Sequence, residues 1–264
     1  MAHDLTIDEK RVYADRMGAV EVLVAAEQGV VVASLSDDRV GEFSLDHRTT
    51  ARDVVADGTR RAVATDEDVL VGDYSATGFG AAVAVGFDGP GGDLLAAGPD
   101  GRVARLDDGW TTVGHVDDPR AIDAGMVAAA DGVWTVDDGL RNVGLADVRD
   151  VHGRGLPLAA TGDGLYRLGN GWMDELDGAA DVVSADDADD RAHAVSDGTL
   201  FARDAVASWT PVDLPADAPP VDVGYTDAAT VAVTEGGTLL TDAGDGWRTR
   251  ELGVTGVTGL AVQS

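Results

Sequence analysis

The feature that most limits what this chain can fold into is a tight turn set between two short apolar runs, repeated along its length. In Met126-Val-Ala-Ala-Ala-Asp131-Gly132-Val-Trp-Thr-Val-Asp137-Asp138-Gly139 an apolar strand meets an Asp-Gly turn, and an alternating strand then meets a second one. Asp-Gly in this setting marks a β-hairpin, because glycine accepts the positive φ that the turn imposes. The same unit returns with its second turn residue at positions 29, 68, 101, 132, 164, 198 and 237, a spacing of 31 to 39 residues. No stretch of comparable length carries apolar residues at helical spacing.

A period of this size built from strands alone predicts a β-propeller rather than a helical solenoid. A short apolar segment precedes most of the hairpins, as in Asp53-Val-Val-Ala, Ala82-Val-Ala-Val, Ala121-Ile-Asp, Asp150-Val-His, Asp181-Val-Val-Ser and Val221-Asp-Val-Gly. A fourth strand follows each second turn and often opens on tryptophan, at Trp110, Trp172, Trp209 and Trp247, with Leu140 in that place once. The expectation is an all-β chain folded as a single propeller of seven four-stranded blades, with six blades the main alternative. Only six inner strands lie between hairpins, and Val257-Thr-Gly-Leu-Ala-Val262 resembles the seventh. It is expected to join the first blade beside residues 22–26, closing the ring and removing two open sheet edges. Residues 1–20 stand outside the repeat and are expected to pack on the propeller formed by residues 21–264.

Charge sets the environment. The chain has 19 basic and 48 acidic residues for a net charge of −29; 40 of the acids are aspartate, and Lys10 is the only lysine. The acids are spread over every repeat and mixed with apolar residues, unlike a disordered acidic tail. Such a balance suits the salt-filled cytoplasm of a halophilic archaeon, where molar salt screens self-repulsion. It argues against nucleic acid as a partner, since phosphates would be repelled. With no run of about 18 apolar residues, no membrane span is expected. The N-terminus lacks a basic-then-apolar signal pattern, so a cytoplasmic location is expected. The absence of cysteine excludes disulfides and thiolate metal sites.

Few residues point to chemistry. Arg52, Arg120 and Arg149 open the inner strands of blades two, four and five. Inner strands run parallel around the channel, so these guanidiniums should gather at one mouth, where they could hold a carboxylate or phosphate. The plainer reading pairs each with a neighbouring aspartate such as Asp53 or Asp150. His152, two residues from Asp150, is a candidate channel residue, more readily structural than a general base. No Gly-x-Ser-x-Gly occurs. The acidic run Asp186-Asp187-Ala-Asp189-Asp190 lacks the glycine and glutamate of a calcium loop and reads as a solvated turn. No metal site and no cofactor are expected.

The turn-plus-tryptophan of Asp107-Asp108-Gly109-Trp110 and Asp245-Gly246-Trp247 is similar to the Asp-box repeats of sialidase-like propellers, without their leading serine, and implies a fold element only. The segments Asp8-Glu-Lys-Arg-Val-Tyr-Ala-Asp-Arg16 and Val40-Gly-Glu-Phe-Ser-Leu-Asp-His-Arg-Thr-Thr-Ala-Arg-Asp-Val54 resemble a family of haloarchaeal β-propeller proteins of unassigned function. That resemblance implies a propeller and brings no activity; it adds Arg11, Tyr13 and Arg48 to Arg52 as surface-binding candidates. The function expected from these residues is a non-catalytic interaction or scaffold propeller holding a protein partner. The alternative is binding or turnover of a small anionic metabolite at the central channel. An enzyme is the less favoured reading.

Overall fold

The computed structural model describes residues 20–186, 191–204 and 208–263. Among these described residues twenty-eight strands form seven four-stranded antiparallel sheets, the seven blades of one propeller. Blade one holds β1 (Val20–Ala26), β2 (Gly29–Ser36) and β3 (Arg39–His47), and blade two β4 (Ala51–Asp57), β5 (Arg60–Thr65), β6 (Val69–Val71) and β7 (Ser75–Ala76). Blade three runs β8 (Ala84–Phe87), β9 (Leu94–Ala97), β10 (Arg102–Leu106) and β11 (Trp110–His115). Blade four runs β12 (Pro119–Asp123), β13 (Met126–Ala129), β14 (Gly132–Val136) and β15 (Leu140–Gly144). Blade five comprises β16 (Val148–His152), β17 (Leu158–Thr161), β18 (Gly164–Leu168) and β19 (Trp172–Asp177). Blade six comprises β20 (Ala180–Ala185), β21 (Ala192–Ser196), β22 (Thr199–Arg203) and β23 (Trp209–Pro211). Blade seven has β24 (Pro220–Tyr225), β25 (Thr230–Thr234), β26 (Thr238–Asp242) and β27 (Arg248–Glu251), and the C-terminal β28 (Gly259–Gln263) returns to blade one.

That return is the expected latch. β28 pairs antiparallel with β1, Val22 opposite Val262 and Val24 opposite Leu260, and becomes the innermost strand of blade one. The expected N-terminal segment lies, as far as residue 19, outside the described residues.

Seven apolar clusters fill the seven blade interfaces. Their inner layers are mostly valine, alanine and leucine, such as Leu23, Leu95, Leu158 and Leu239, all fully buried. Small side chains suit the narrow end of each wedge, where blades converge on the axis. The turn glycines answer a steric demand as well as a torsional one. At Gly29, with φ 136°, a Cβ would lie 1.9 Å from the His47 carbonyl oxygen; at Gly237, with φ 82°, it would lie 2.4 Å from that of Val254. Outer tryptophans tie blades three, five and six each to the blade before it. Trp110 Nε1 donates to Thr77 Oγ1 (3.0 Å), Trp172 Nε1 to the Val143 carbonyl (2.9 Å) and Trp209 Nε1 to Glu175 Oε2 (3.0 Å).

Candidate functional site

The inner strands enclose a central cavity of about 660 Å³, in the size range of small-molecule sites. Its wall carries a repeated device built on aspartate. Asp53, Asp150 and Asp222 each precede a valine near the middle of an inner strand, and each accepts the N–H of that valine. The second carboxylate oxygen accepts an N–H from the next blade's inner strand: Val85 for Asp53 (2.9 Å), Val183 for Asp150 (2.8 Å) and Leu260 for Asp222 (2.7 Å). Three of the seven inner-strand junctions are stitched this way. Between two of these acids stands Gly259, whose Cβ position would lie 3.4 Å from oxygens of both Asp53 and Asp222.

Burial inside the ring pushes these carboxyls up, Asp53 and Asp222 to about 7 and Asp150 to about 8, against the pull of the two N–H groups each accepts. Repulsion among the acids adds to the effect. His152 is buried on the same wall, and its carboxylate neighbour is Asp123 of blade four, with Nδ1 3.4 Å from Oδ2. Asp123 Oδ2 also accepts the N–H of Gly153 (2.8 Å). The histidine therefore faces the preceding blade's acid rather than Asp150 on its own strand.

The predicted arginines sit at the other end of the inner strands, where the chain enters each blade, and do not line the cavity. Each occupies a β-bulge. The register of β4 with β5 skips between Ala51 and Asp53, that of β12 with β13 between Pro119 and Ala121, and that of β16 with β17 between Val148 and Asp150. Arg52, Arg120 and Arg149 are the unpaired residues of these bulges, a geometry that re-aims a side chain. The same bulge carries Asp181 in blade six and Val221 in blade seven. Arg120 Nη1 contacts Asp147 Oδ1 at 2.7 Å and the Val148 carbonyl at 3.2 Å, and its Nη2 lies 3.1 Å from Asp118 Oδ2. Arg149 Nη1 contacts Asp181 Oδ1 at 2.5 Å, and its Nη2 lies 3.7 Å from Asp147 Oδ2. A chain of alternating charge thus crosses blades four, five and six. Arg52 is exposed and has no hydrogen-bond or ion-pair partner among the described residues. Arg48 is exposed in the loop before β4, while Arg11 and Tyr13 lie outside the described residues.

At the opposite rim a polar network joins blades six and seven. Tyr225 donates its hydroxyl proton to the Ser184 carbonyl (3.0 Å), so the His193 Nδ1 that lies 2.9 Å from the same oxygen must donate to it. Burial, helped by the nearby Arg191, holds His193 down at about 4, so the ring is neutral. Arg191 binds Asp186 (2.8 Å) and the Thr226 carbonyl (2.7 Å). Of the acidic run, residues 187–190 lie outside the described residues. Among the described residues no three His, Asp or Glu side chains converge as metal ligands.

The cavity acids and the second network were not singled out from the sequence. Asp-Val at one offset before the hairpin, at Asp53, Asp150 and Asp222, was the available signal.

Solved structures that resemble this one share its fold at low identity. A chain from a crystal structure of a nidogen/laminin complex matches with a TM-score of 0.59 and 8% identity, covering 93% of this chain and 98% of its own length. The computationally designed Ika8 protein matches with a TM-score of 0.60 and 14% identity over 92% of this chain and 90% of its own. A chain from a structure of YCF48 bound to D1 peptide matches with a TM-score of 0.59 and 15% identity over 76% and 82%. No curated protein matches the sequence significantly. The model of one family, described as HVO_0234-like beta propeller, spans residues 6–263, and with that span and seven latched blades the chain belongs to the HVO_0234-like β-propeller family.

Proposed function

We propose that this chain is a non-catalytic interaction propeller that holds a protein partner on its surface, in the cytoplasm of a halophilic archaeon. The observation that carries this reading is where the inner polar groups are spent. Asp53, Asp150 and Asp222 are engaged in joining inner strands, and Arg120 and Arg149 in ion pairs between blades. Groups used in this way are positioned for rigidity rather than for acid–base work. A rigid closed ring suits a binding surface, since little order has to be gained on association. Two propellers of the same fold come from structures described as a nidogen/laminin complex and as bound to D1 peptide, which fits a partner-binding role by analogy of fold alone. The family name and the net charge of −29 both fit a halophilic source.

A small anion in the channel is less well supported. The cavity wall bears Arg154 and Arg191 but more carboxyl groups than cations, Arg191 is already held by Asp186, and the three predicted arginines lie outside that wall.

The test is affinity capture from halophile lysate in molar KCl, with the tagged full chain as bait. A stoichiometric protein partner is the expected result. Capture of none, together with a tight small-molecule ligand from a metabolite screen, would overturn the reading.

A further inference from the structure

Resting on the interaction reading, we propose that Arg52 is the docking point for a carboxylate of an acidic peptide segment of the protein partner, laid over the inner rim of blade three. The repeat supplies the argument. Arg120 and Arg149 hold the same bulge position, and each grips carboxylates of the following blade, Asp147 and Asp181. The bulge therefore delivers a guanidinium to a place where carboxylates bind. Counting back from Ala84, which corresponds to Asp53 and Asp150, the blade that follows Arg52 offers Ala81, Ala82 and Val83 there. Among the described residues no carboxylate fills the place in blade three that Asp147 and Asp181 fill in blades five and six.

The surroundings favour an incoming acid at this point over others on the surface. Around the same mouth, blades four to six carry Asp118, Asp147 and Asp181 close to the axis, whereas blades one to three carry Thr258, Thr50 and the Ala81, Ala82, Val83 stretch. Of the acids of blades two and three on this side, Asp66 lies beside Thr50, its N–H donating to the Thr50 carbonyl (3.3 Å), Glu67 and Asp100 belong to turns, and none of the three pairs with Arg52. A bidentate guanidinium–carboxylate contact also keeps part of its strength when salt has removed long-range repulsion between two anionic proteins.

The experiment uses an array of short peptides that sets each Asp- or Glu-bearing sequence beside its Asn or Gln counterpart, probed with the full chain in molar KCl. Wild type should retain acidic members up to about fivefold more strongly than their amide counterparts, the most that one exposed ion pair allows. Arg52→Glu and Arg52→Gln should abolish that preference with the melting temperature unchanged, since the side chain is exposed. Ala81→Asp, at the place in blade three that Asp147 holds opposite Arg120, offers Arg52 a carboxylate in cis and should abolish it with the arginine still present. Arg141→Ala, on the outer strand of blade four, serves as the control that retains it. An acidic preference that survives Arg52→Glu, or no acidic preference in wild type, overturns the proposal. A partner captured from lysate whose retention is indifferent to Arg52→Glu would likewise sink this docking point while leaving the interaction reading intact.

Discussion

Asp222 takes one N–H from its own strand and one from Leu260 of the latch, so a single side chain spans the closure of the ring. Removing it in Asp222→Ala leaves two backbone donors in the channel wall without their acceptors, and relieves one confined negative charge. The first effect is the larger, and a loss of about 2 kcal/mol in denaturant melts is expected. Asp222→Asn keeps one acceptor and sheds the charge, so it should lose less than about 1 kcal/mol. Equal losses in the two variants would count against the stitch, since the acceptor that asparagine keeps would then contribute nothing. The raised pKa values carry a second prediction. Folded Asp53, Asp150 and Asp222 hold protons up to about pH 7 to 8, whereas an ordinary aspartate releases its own near 3.8. Their stabilisation is complete below the unfolded value and is lost as pH climbs through the folded ones. His193 works in the opposite sense: held at about 4 against 6.5, it contributes stability that is lost as pH falls below 6.5. Three carboxyls outweigh one imidazole between those limits, and above 6.5 they act unopposed. Melting temperature should therefore fall from about pH 5 to about pH 8, near-evenly up to about pH 7 and levelling off above it, and Asp150→Asn should flatten the fall. A melting temperature that climbs over that span would refute the assignment.

β28 is the element on which closure depends. It supplies the inner strand of blade one, buries Leu260 and Ala261, and presents the Leu260 N–H to Asp222. A chain ending before Gly259 would expose the β1 edge along five paired residues, from Glu21 to Ala25, and open the core between blades seven and one. Loss of several kcal/mol is expected, seen as a melting temperature lower by roughly 10 °C or as aggregation through the bare edge. Leu260→Ala offers a milder check at about 2 to 3 kcal/mol. A truncated chain that melts with the full one would show that blade one closes without its fourth strand. This element was legible in advance because a propeller needs as many inner strands as hairpins, and residues 257–262 were the one apolar segment left over. The strands of the other blades were legible for a related reason: turn glycines and outer tryptophans recur at fixed offsets, set by steric contacts such as Gly29 with His47. The site was less legible. In a chain with 40 aspartates, Asp53 and Asp150 read as solvated acids beside an arginine, and nothing local says that they face the axis. Asp181-Val182-Val183 looks like Asp150-Val151 in sequence, yet the bulge places Asp181 one step earlier, among the rim ion pairs. A single-residue bulge decides which aspartates stitch strands and which meet arginine, and bulges leave little trace in composition.

For the molecule as a whole, a net charge of −29 on 264 residues opposes compaction unless the charges are screened from one another. The ion pairs that the fold does contain, such as Arg120 with Asp147 and Arg149 with Asp181, are half-exposed and each worth about 0 to 1 kcal/mol, too little to offset that repulsion. Screening must do it instead. The screening length falls from about 10 Å at 0.1 M salt to about 3 Å at 1 M, so repulsion between surface aspartates is largely screened at the higher salt. Melting temperature in KCl should consequently rise steeply up to about 1 M and then level off, because a screened charge gains nothing from further salt. The shape of that curve separates two causes. A continued straight rise to high salt would indicate strengthened apolar burial, the effect of excluded ions on any protein. A flat curve would mean that the acids do not repel one another in the folded state, and the halophilic setting proposed for this propeller would lose its physical basis.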